Sequence, residues 1–279
     1  MELVVYVSLS KNTSREKLHI ISLQILIIQL WKLIMLKIAS LLHKTKHVLS
    51  IVQKTILDGL FPIRCLGCGK FDKWICTNCH TTLPILTEQH CPVCKKHTTL
   101  NGVVCPECHK TAKNSFDGVF IASYYHDKLI KKAVHYYKYR FVHDLSKPLS
   151  LLLAQAIQNS TLTTPDIVIP VPLHKRRYRW RGFNQASNLA DGLDLQISVI
   201  TDILIRVRYT VPQVKMKNKN KRQENLNNAF IIKDSSQIIG KNVLLIDDII
   251  TTGATLTECA RTLKLAGAKT VHCLVLARE

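Results

Sequence analysis

Two kinds of apolar pattern alternate along the second half of the chain. Short, largely apolar runs occur at 118–125, 167–171, 200–205, 243–246 and 271–276. Apolar runs of that length, bounded by polar residues, predict strands buried on both faces. Between them, apolar residues recur at three- and four-residue spacing over 129–139, 145–158, 184–193 and 254–265. That spacing predicts helices with one buried face. Strands alternating with helices predict an α/β domain: a parallel sheet covered by helices on both faces.

The first sixty residues follow neither pattern cleanly. Residues 19–42 are rich in Ile and Leu, but Ser22, Gln24, Gln29, Lys32, Lys37 and Ser40 interrupt them. The longest uncharged run, 18–31, is short for a bilayer span. Apolar residues lie nearly all round such a helix, so no face stands out. Three readings stay open: a buried or partner-binding helix, a basic helix on a membrane surface, or an extension from an upstream start codon with Met35 as initiator. No signal-peptide pattern is evident at Met1.

The ten cysteines change the picture between these regions. Eight fall in four C-x-x-C pairs: Cys65/Cys68, Cys76/Cys79, Cys91/Cys94 and Cys105/Cys108. Two residues between cysteines let the backbone fold into a knuckle whose thiolates meet one ion, and two knuckles close a tetrahedron. Eight thiolates therefore make two closed four-sulfur sites with no position for water, a structural role that suits zinc, with an iron–sulfur cluster as the weaker alternative. Sequential pairing is simplest; interleaved pairing stays open. His80, His90, His97 and His109 read as exposed bystanders, because the thiolates fill both shells. Cys259 and Cys273 lie in apolar runs and read as core. Reduced thiolates on zinc fit a cytoplasmic protein, at most at the inner face of the membrane. The expected domains are an N-terminal extension (1–59), a double zinc ribbon (60–112) and the α/β domain (113–279).

Hydrophobic residues make up 47% of the chain, enough for a core, which excludes a disordered chain. Lys and Arg number 39 against 19 Asp and Glu, a formal charge of +20. That excess points to a polyanionic partner. The bases cluster. Lys175, Arg176, Arg177, Arg179 and Arg181 fall in one acid-free window, and Lys128, Lys131, Lys132, Lys138 and Arg140 crowd another. A third window, 206–222, holds Arg206, Arg208, Lys215, Lys217, Lys219, Lys221 and Arg222. It lacks apolar periodicity and is expected to be a mobile basic loop.

The most informative stretch runs from Val243 to Thr255. A buried strand leads into Asp247 and Asp248. Thr251, Thr252, Gly253, Ala254 and Thr255 follow, and a helix begins. The carboxyl end of a parallel strand is where open α/β folds bind ligands. Gly253 permits a turn closed to other residues. Helix-start N–H groups and Thr hydroxyls attract a phosphate. Two acids beside it make sense if they accept from sugar hydroxyls or hold Mg²⁺.

This stretch resembles the ribose-phosphate motif of type I phosphoribosyltransferases, which bind 5-phosphoribosyl 1-pyrophosphate. The resemblance implies that Asp247 and Asp248 meet the ribose hydroxyls and Mg²⁺, that Thr251 to Thr255 cradle the 5′-phosphate, and that the basic loop closes over pyrophosphate. His174 and Arg177 are candidates for that pyrophosphate. Several base-recycling enzymes of the class carry a carboxylate where Thr251 stands, so a transfer reaction is less well supported than ligand binding. Ile169 to Arg177, Arg181 to Gln185, Pro212-Gln213 and Lys221 to Asn225, preceded by zinc knuckles, resemble the ComF family. Its members are linked to natural competence and use of external DNA. The resemblance covers about residue 60 onward. It implies single-stranded DNA and competence proteins such as a DNA-uptake helicase as partners. Tyr124, Tyr125, Tyr136, Tyr137 and Tyr139 are candidates to stack bases. The competing reading is an active Mg²⁺-dependent phosphoribosyltransferase of nucleotide metabolism or salvage.

Overall fold

A computed structural model describes residues 62–111, 115–158, 160, 164–209 and 228–279. The three readings of the first sixty residues therefore lie outside the described residues.

Four parallel strands form the main sheet: β1 (Gly118–Tyr124), β2 (Ile167–Pro170), β5 (Asn242–Ile250) and β6 (Thr270–Arg278). Their order is β1-β6-β5-β2. β5 pairs on both sides, with Val243 opposite Ile167 of β2 and Val271 of β6. A further bridge at Val199 extends the sheet beyond β2. The unbroken apolar runs are explained by this placement, because side chains alternate and both faces are covered.

One face packs against α7 (Ala254–Leu265), whose Leu256, Cys259, Ala260 and Leu263 meet Val243, Leu245, Val271 and Cys273. Cys259 and Cys273 are thus core, as their context predicts. The other face packs against α3 (Lys128–Tyr139), α4 (Ser146–Gln158) and α6 (Gln185–Asp191). α3 starts at Asp127, whose carboxylate accepts from the Leu129 and Ile130 amides, and buries Ile130, Ala133, Val134 and Tyr137. α5 (Lys175–Arg181) was not expected, since its KRRYRWR sequence has no apolar stripe. It exists because His174 caps its start and Gly182, at φ +81°, ends it.

A small antiparallel pair, β3 (Leu204–Arg206) and β4 (Phe230–Ile232), flanks the sheet. The sequence places a longer strand at 200–205; the chain bends at 201–203, so only the end of that run pairs in a ladder. Arg206, expected to open the mobile loop, instead closes β3 with 7% exposure. Period-two alternation carries it inward with Leu204.

The cysteine cassette repeats one plan twice. A knuckle at Cys65/Cys68 is followed by Cys76 and α1 (Thr77–Thr81), which carries Cys79. A knuckle at Cys91/Cys94 is followed by Cys105 and α2 (Pro106–Thr111), which carries Cys108. The cassette packs directly on the sheet. The Gln89 amide donates to the Ile121 carbonyl and accepts from the Ile121 amide, both at 3.0 Å, as a neighbouring strand would.

Candidate functional site

β5 stays paired through its acids: Asp247 sits opposite Val275, and Ile250 opposite Arg278. The apolar run predicts a strand that stops at Ile246; it continues to Ile250 because β6 is equally long. The consequence is geometric. Neighbouring residues on a strand face opposite sides. Asp247 shares the α7 face with Val243 and Leu245, and Asp248 shares the α3 face with Leu244 and Ile246. The pair therefore straddles the sheet.

The turn after β5 has the predicted form. Gly253 adopts φ +81° and caps α7. Thr252 Oγ1 accepts from the Ala254 amide at 3.4 Å. The α7 start places first-turn N–H groups and the positive end of the helix dipole at the carboxyl end of the central strand. Replacing Gly253 with alanine puts a Cβ only 3.5 Å from Ile250 Cδ1, an ordinary contact. The expected cost is conformational alone, about 1 kcal/mol, read as a fall of a few degrees in Tm.

Each acid is held by one oxygen. Asp247 Oδ1 accepts from the Asp248 amide at 2.9 Å. Asp248 Oδ1 accepts from the Ile249 amide at 2.6 Å and pairs with Lys138 Nζ at 2.9 Å. Burial, then the neighbouring Asp248 charge, raise the Asp247 pKa to about 7; Lys138 and Arg206 work against that rise. Burial disfavours the Lys138 charge, but Asp248 outweighs it and raises the Lys138 pKa.

Cations gather on the same rim. Arg206 lies over the Phe230 ring at 5.3 Å, and burial together with Arg177 lowers its pKa to about 10. Burial and then Arg181 lower the pKa of Arg177. Tyr209 organises the edge: His174 packs on its ring at 5.3 Å, and Arg176 lies over it at 4.9 Å. His174 Nδ1 accepts from the Arg176 amide at 3.2 Å, so this residue caps a helix as well as facing the rim. Its pKa is lowered by burial, then by Arg206 and Arg177. Like charges gathered on one rim raise its positive potential and attract an anion. The arrangement suits a polyanion.

The structure thus gathers Asp247, Asp248, His174 and Arg177 at one end of the sheet, with the Thr251–Thr255 turn next in sequence. Lys215, Lys217, Lys219, Lys221 and Arg222 lie outside the described residues. Of the tyrosines proposed to stack bases, Tyr137 is fully buried and donates to the Gln185 carbonyl at 3.0 Å, which corrects that expectation. Tyr136 packs on Trp74, while Tyr124 and Tyr139 are exposed. Sequence reasoning saw Lys138 and Arg206 only as members of basic windows and Gln185 only as the end of a motif stretch, and gave none of them its place in the site. Gln185 is buried, takes Arg181 on its Oε1 at 2.8 Å, and has an Nε2 with no partner among the described residues. The signal for Lys138 was its place four residues after buried Val134, on the apolar stripe.

The thiolates form two tetrads, Cys65/Cys68/Cys76/Cys79 and Cys91/Cys94/Cys105/Cys108, so pairing is sequential. Within each, all sulfurs lie within 4.8 Å of one another. The Cys68–Cys76 and Cys94–Cys105 separations are 3.6 and 3.9 Å. A tetrahedral zinc with bonds of about 2.3 Å sets its sulfurs about 3.8 Å apart. The donor set fits structural zinc. Amides support it equivalently, Cys76 N to Cys65 Sγ at 3.3 Å and Cys105 N to Cys91 Sγ at 3.4 Å. Two histidines are more than bystanders: His97 Nδ1 lies 3.4 Å from Cys105 Sγ, and His80 Nε2 meets the Pro148 carbonyl at 2.9 Å.

Comparison with known proteins agrees with this division. Residues 152–279 match the phosphoribosyl transferase domain family, and residues 56–113 match the double zinc ribbon domain family. Competence protein F of Haemophilus influenzae is 31% identical over 231 residues, covering 79% of this chain and 99% of that protein. DNA utilization protein YhgH of Shigella flexneri is 30% identical, over 73% of this chain and 96% of that protein. Competence protein ComFC of Bacillus subtilis is 28% identical, over 77% and 89%. Among the described residues, no helix is long and apolar enough to cross a membrane.

Proposed function

This chain belongs to the ComF family of competence proteins, and from that premise we propose that its sheet domain binds 5-phosphoribosyl 1-pyrophosphate or a related sugar phosphate while serving the handling of incoming DNA. The observation that carries this reading is the joining of two charge environments at the rim of one sheet. The Gly253 turn and α7 start favour a terminal phosphate. The rim with Arg177, Arg206 and His174 favours a second anionic group.

In this reading Thr251 to Thr255 cradle the 5′-phosphate, and Asp247 and Asp248 accept from ribose hydroxyls. Arg177 meets the pyrophosphate, with His174 setting the start of its helix. Lys215, Lys217, Lys219, Lys221 and Arg222 close over it. The two acids face opposite sides of a strand, so they do not fit one octahedral Mg²⁺ as a chelating pair. Mg²⁺ enters with the ligand, on its pyrophosphate oxygens. Zinc stays structural. Single-stranded DNA follows the basic surface, and competence proteins such as a DNA-uptake helicase are the partners. The site of action is the cytoplasm, at the inner face of the membrane when DNA arrives.

Calorimetric titration with phosphoribosyl pyrophosphate and Mg²⁺ tests the ligand reading. Wild type is expected to bind, and the Asp247→Asn/Asp248→Asn double variant to lose at least about a hundredfold in affinity. Equal affinity in both removes the site. For DNA, the expected result is single-stranded binding that weakens steeply with salt. Flat salt dependence contradicts it.

One observation favours the transferase alternative. A cavity of about 350 Å³ opens at the carboxyl ends of β1 and β6, lined by Tyr124, Tyr125, His126 and Arg278 and by His90 and Lys95 from the second zinc knuckle. An acceptor bound there would lie one strand from the acids. Pyrophosphate release with some acceptor supports this alternative; none across bases and amines opposes it.

A further inference from the structure

Asp248 already holds a cation of the chain's own. Lys138 Nζ lies 2.9 Å from Asp248 Oδ1, and the two side chains are 18% and 9% exposed. The ammonium comes from the last turn of α3, a helix fixed by its Asp127 cap and by four buried residues. Oδ1 also takes the Ile249 amide, so this oxygen is committed. Among the described residues Oδ2 makes no hydrogen bond, which leaves it to face a ligand hydroxyl. Asp247 likewise commits Oδ1, to the Asp248 amide, and feels Lys138 more strongly than Arg206.

We propose that Lys138 is the resident cation of the sugar site and takes at Asp248 the place a divalent ion would hold, so that the ribose 5-phosphate half is bound without metal. This rests on the sugar-phosphate reading above. An ion on Oδ2 would sit within a few ångströms of the ammonium, and the two positive charges repel strongly in a partly buried site. Adjacent strand residues also cannot converge on one ion with the short bonds Mg²⁺ demands. A ribose hydroxyl suffers neither problem. It donates to Oδ2 while Lys138 holds the carboxylate in place. Dependence on Mg²⁺ is then confined to the pyrophosphate arm.

The test is calorimetry on wild type, Lys138→Met and Lys138→Arg, with ribose 5-phosphate and phosphoribosyl pyrophosphate as ligands. Mg²⁺ is omitted rather than chelated, so that zinc stays in place. Wild type and Lys138→Arg are expected to bind ribose 5-phosphate equally with and without Mg²⁺, and the pyrophosphate ligand more tightly with it. Lys138→Met is expected to lose about tenfold for ribose 5-phosphate without Mg²⁺ and to regain most of it when Mg²⁺ is added. Two zinc ions per chain and a cooperative thermal transition show that the variant is folded. If wild type needs Mg²⁺ for ribose 5-phosphate, or folded Lys138→Met is indifferent to the ion, the inference is overturned. If wild type binds neither ligand, the sugar-phosphate reading itself falls.

Discussion

Replacing Cys91 with serine is expected to unfold much of the protein rather than release one zinc locally. Cys91 and Cys105 are 0% and 3% exposed, and they belong to the same apolar cluster as Val119, Ile121, Val275 and Leu245 of the sheet. The loop before Cys91 is tied to β1 through both atoms of the Gln89 amide. A structural zinc contributes roughly 10–16 kcal/mol in small domains, comparable to the ~5–15 kcal/mol that separates folded from unfolded protein. Cys91→Ser should therefore lower Tm by more than about 10 °C. Cys68→Ser removes an exposed ligand of the other tetrad and should lower it less. Zinc counting by a colorimetric chelator beside thermal unfolding checks both. A Cys91→Ser protein with one zinc and the wild-type Tm would show that the second tetrad is not part of the core.

The second large effect is a trade between stability and binding at Asp247. Its folded pKa of about 7 exceeds the ordinary value of 3.8. For an acid shifted upward, the folded state holds the proton more tightly than the unfolded state. Stability is then undiminished below about pH 4 and falls as pH rises towards 7. Asp247→Asn cannot ionise, so it is expected to stabilise the ligand-free protein by about 2 kcal/mol at pH 8 and hardly at all at pH 4. The same substitution removes the charged acceptor for a ribose hydroxyl and should cost at least tenfold in sugar-phosphate affinity, about 1.4 kcal/mol. Thermal unfolding across that pH range, paired with titration at pH 8, reads both. A destabilised Asp247→Asn at pH 8 would mean that the carboxylate is structural.

Much of this was legible in the sequence, for identifiable reasons. β5, β6 and α7 were marked because burial on two faces leaves an unbroken apolar run, and burial on one leaves a helical period. The tetrads were marked because metal geometry dictates ligand spacing. α5 was not, because a helix of Lys, Arg, Tyr and Trp lying half in solvent has no apolar stripe. It is defined by capping at His174 and Gly182. Lys138 and Arg206 were seen only as members of basic windows. Their burial depends on which acid each meets across the sheet, and that is tertiary information. The strand's continuation to Ile250, which sets the acids on opposite faces, depended likewise on the length of β6.

The most direct measurement is the map of backbone amide shifts in ¹⁵N-labelled protein on adding ribose 5-phosphate. The account predicts the largest changes at Thr252, Gly253, Ala254, Thr255 and Leu256, where a phosphate would meet the start of α7. A second cavity, about 270 Å³, lies at the opposite ends of the strands, by Thr164, Asn242 and Thr270. Saturable changes centred there, with the Gly253 turn unmoved, would contradict it.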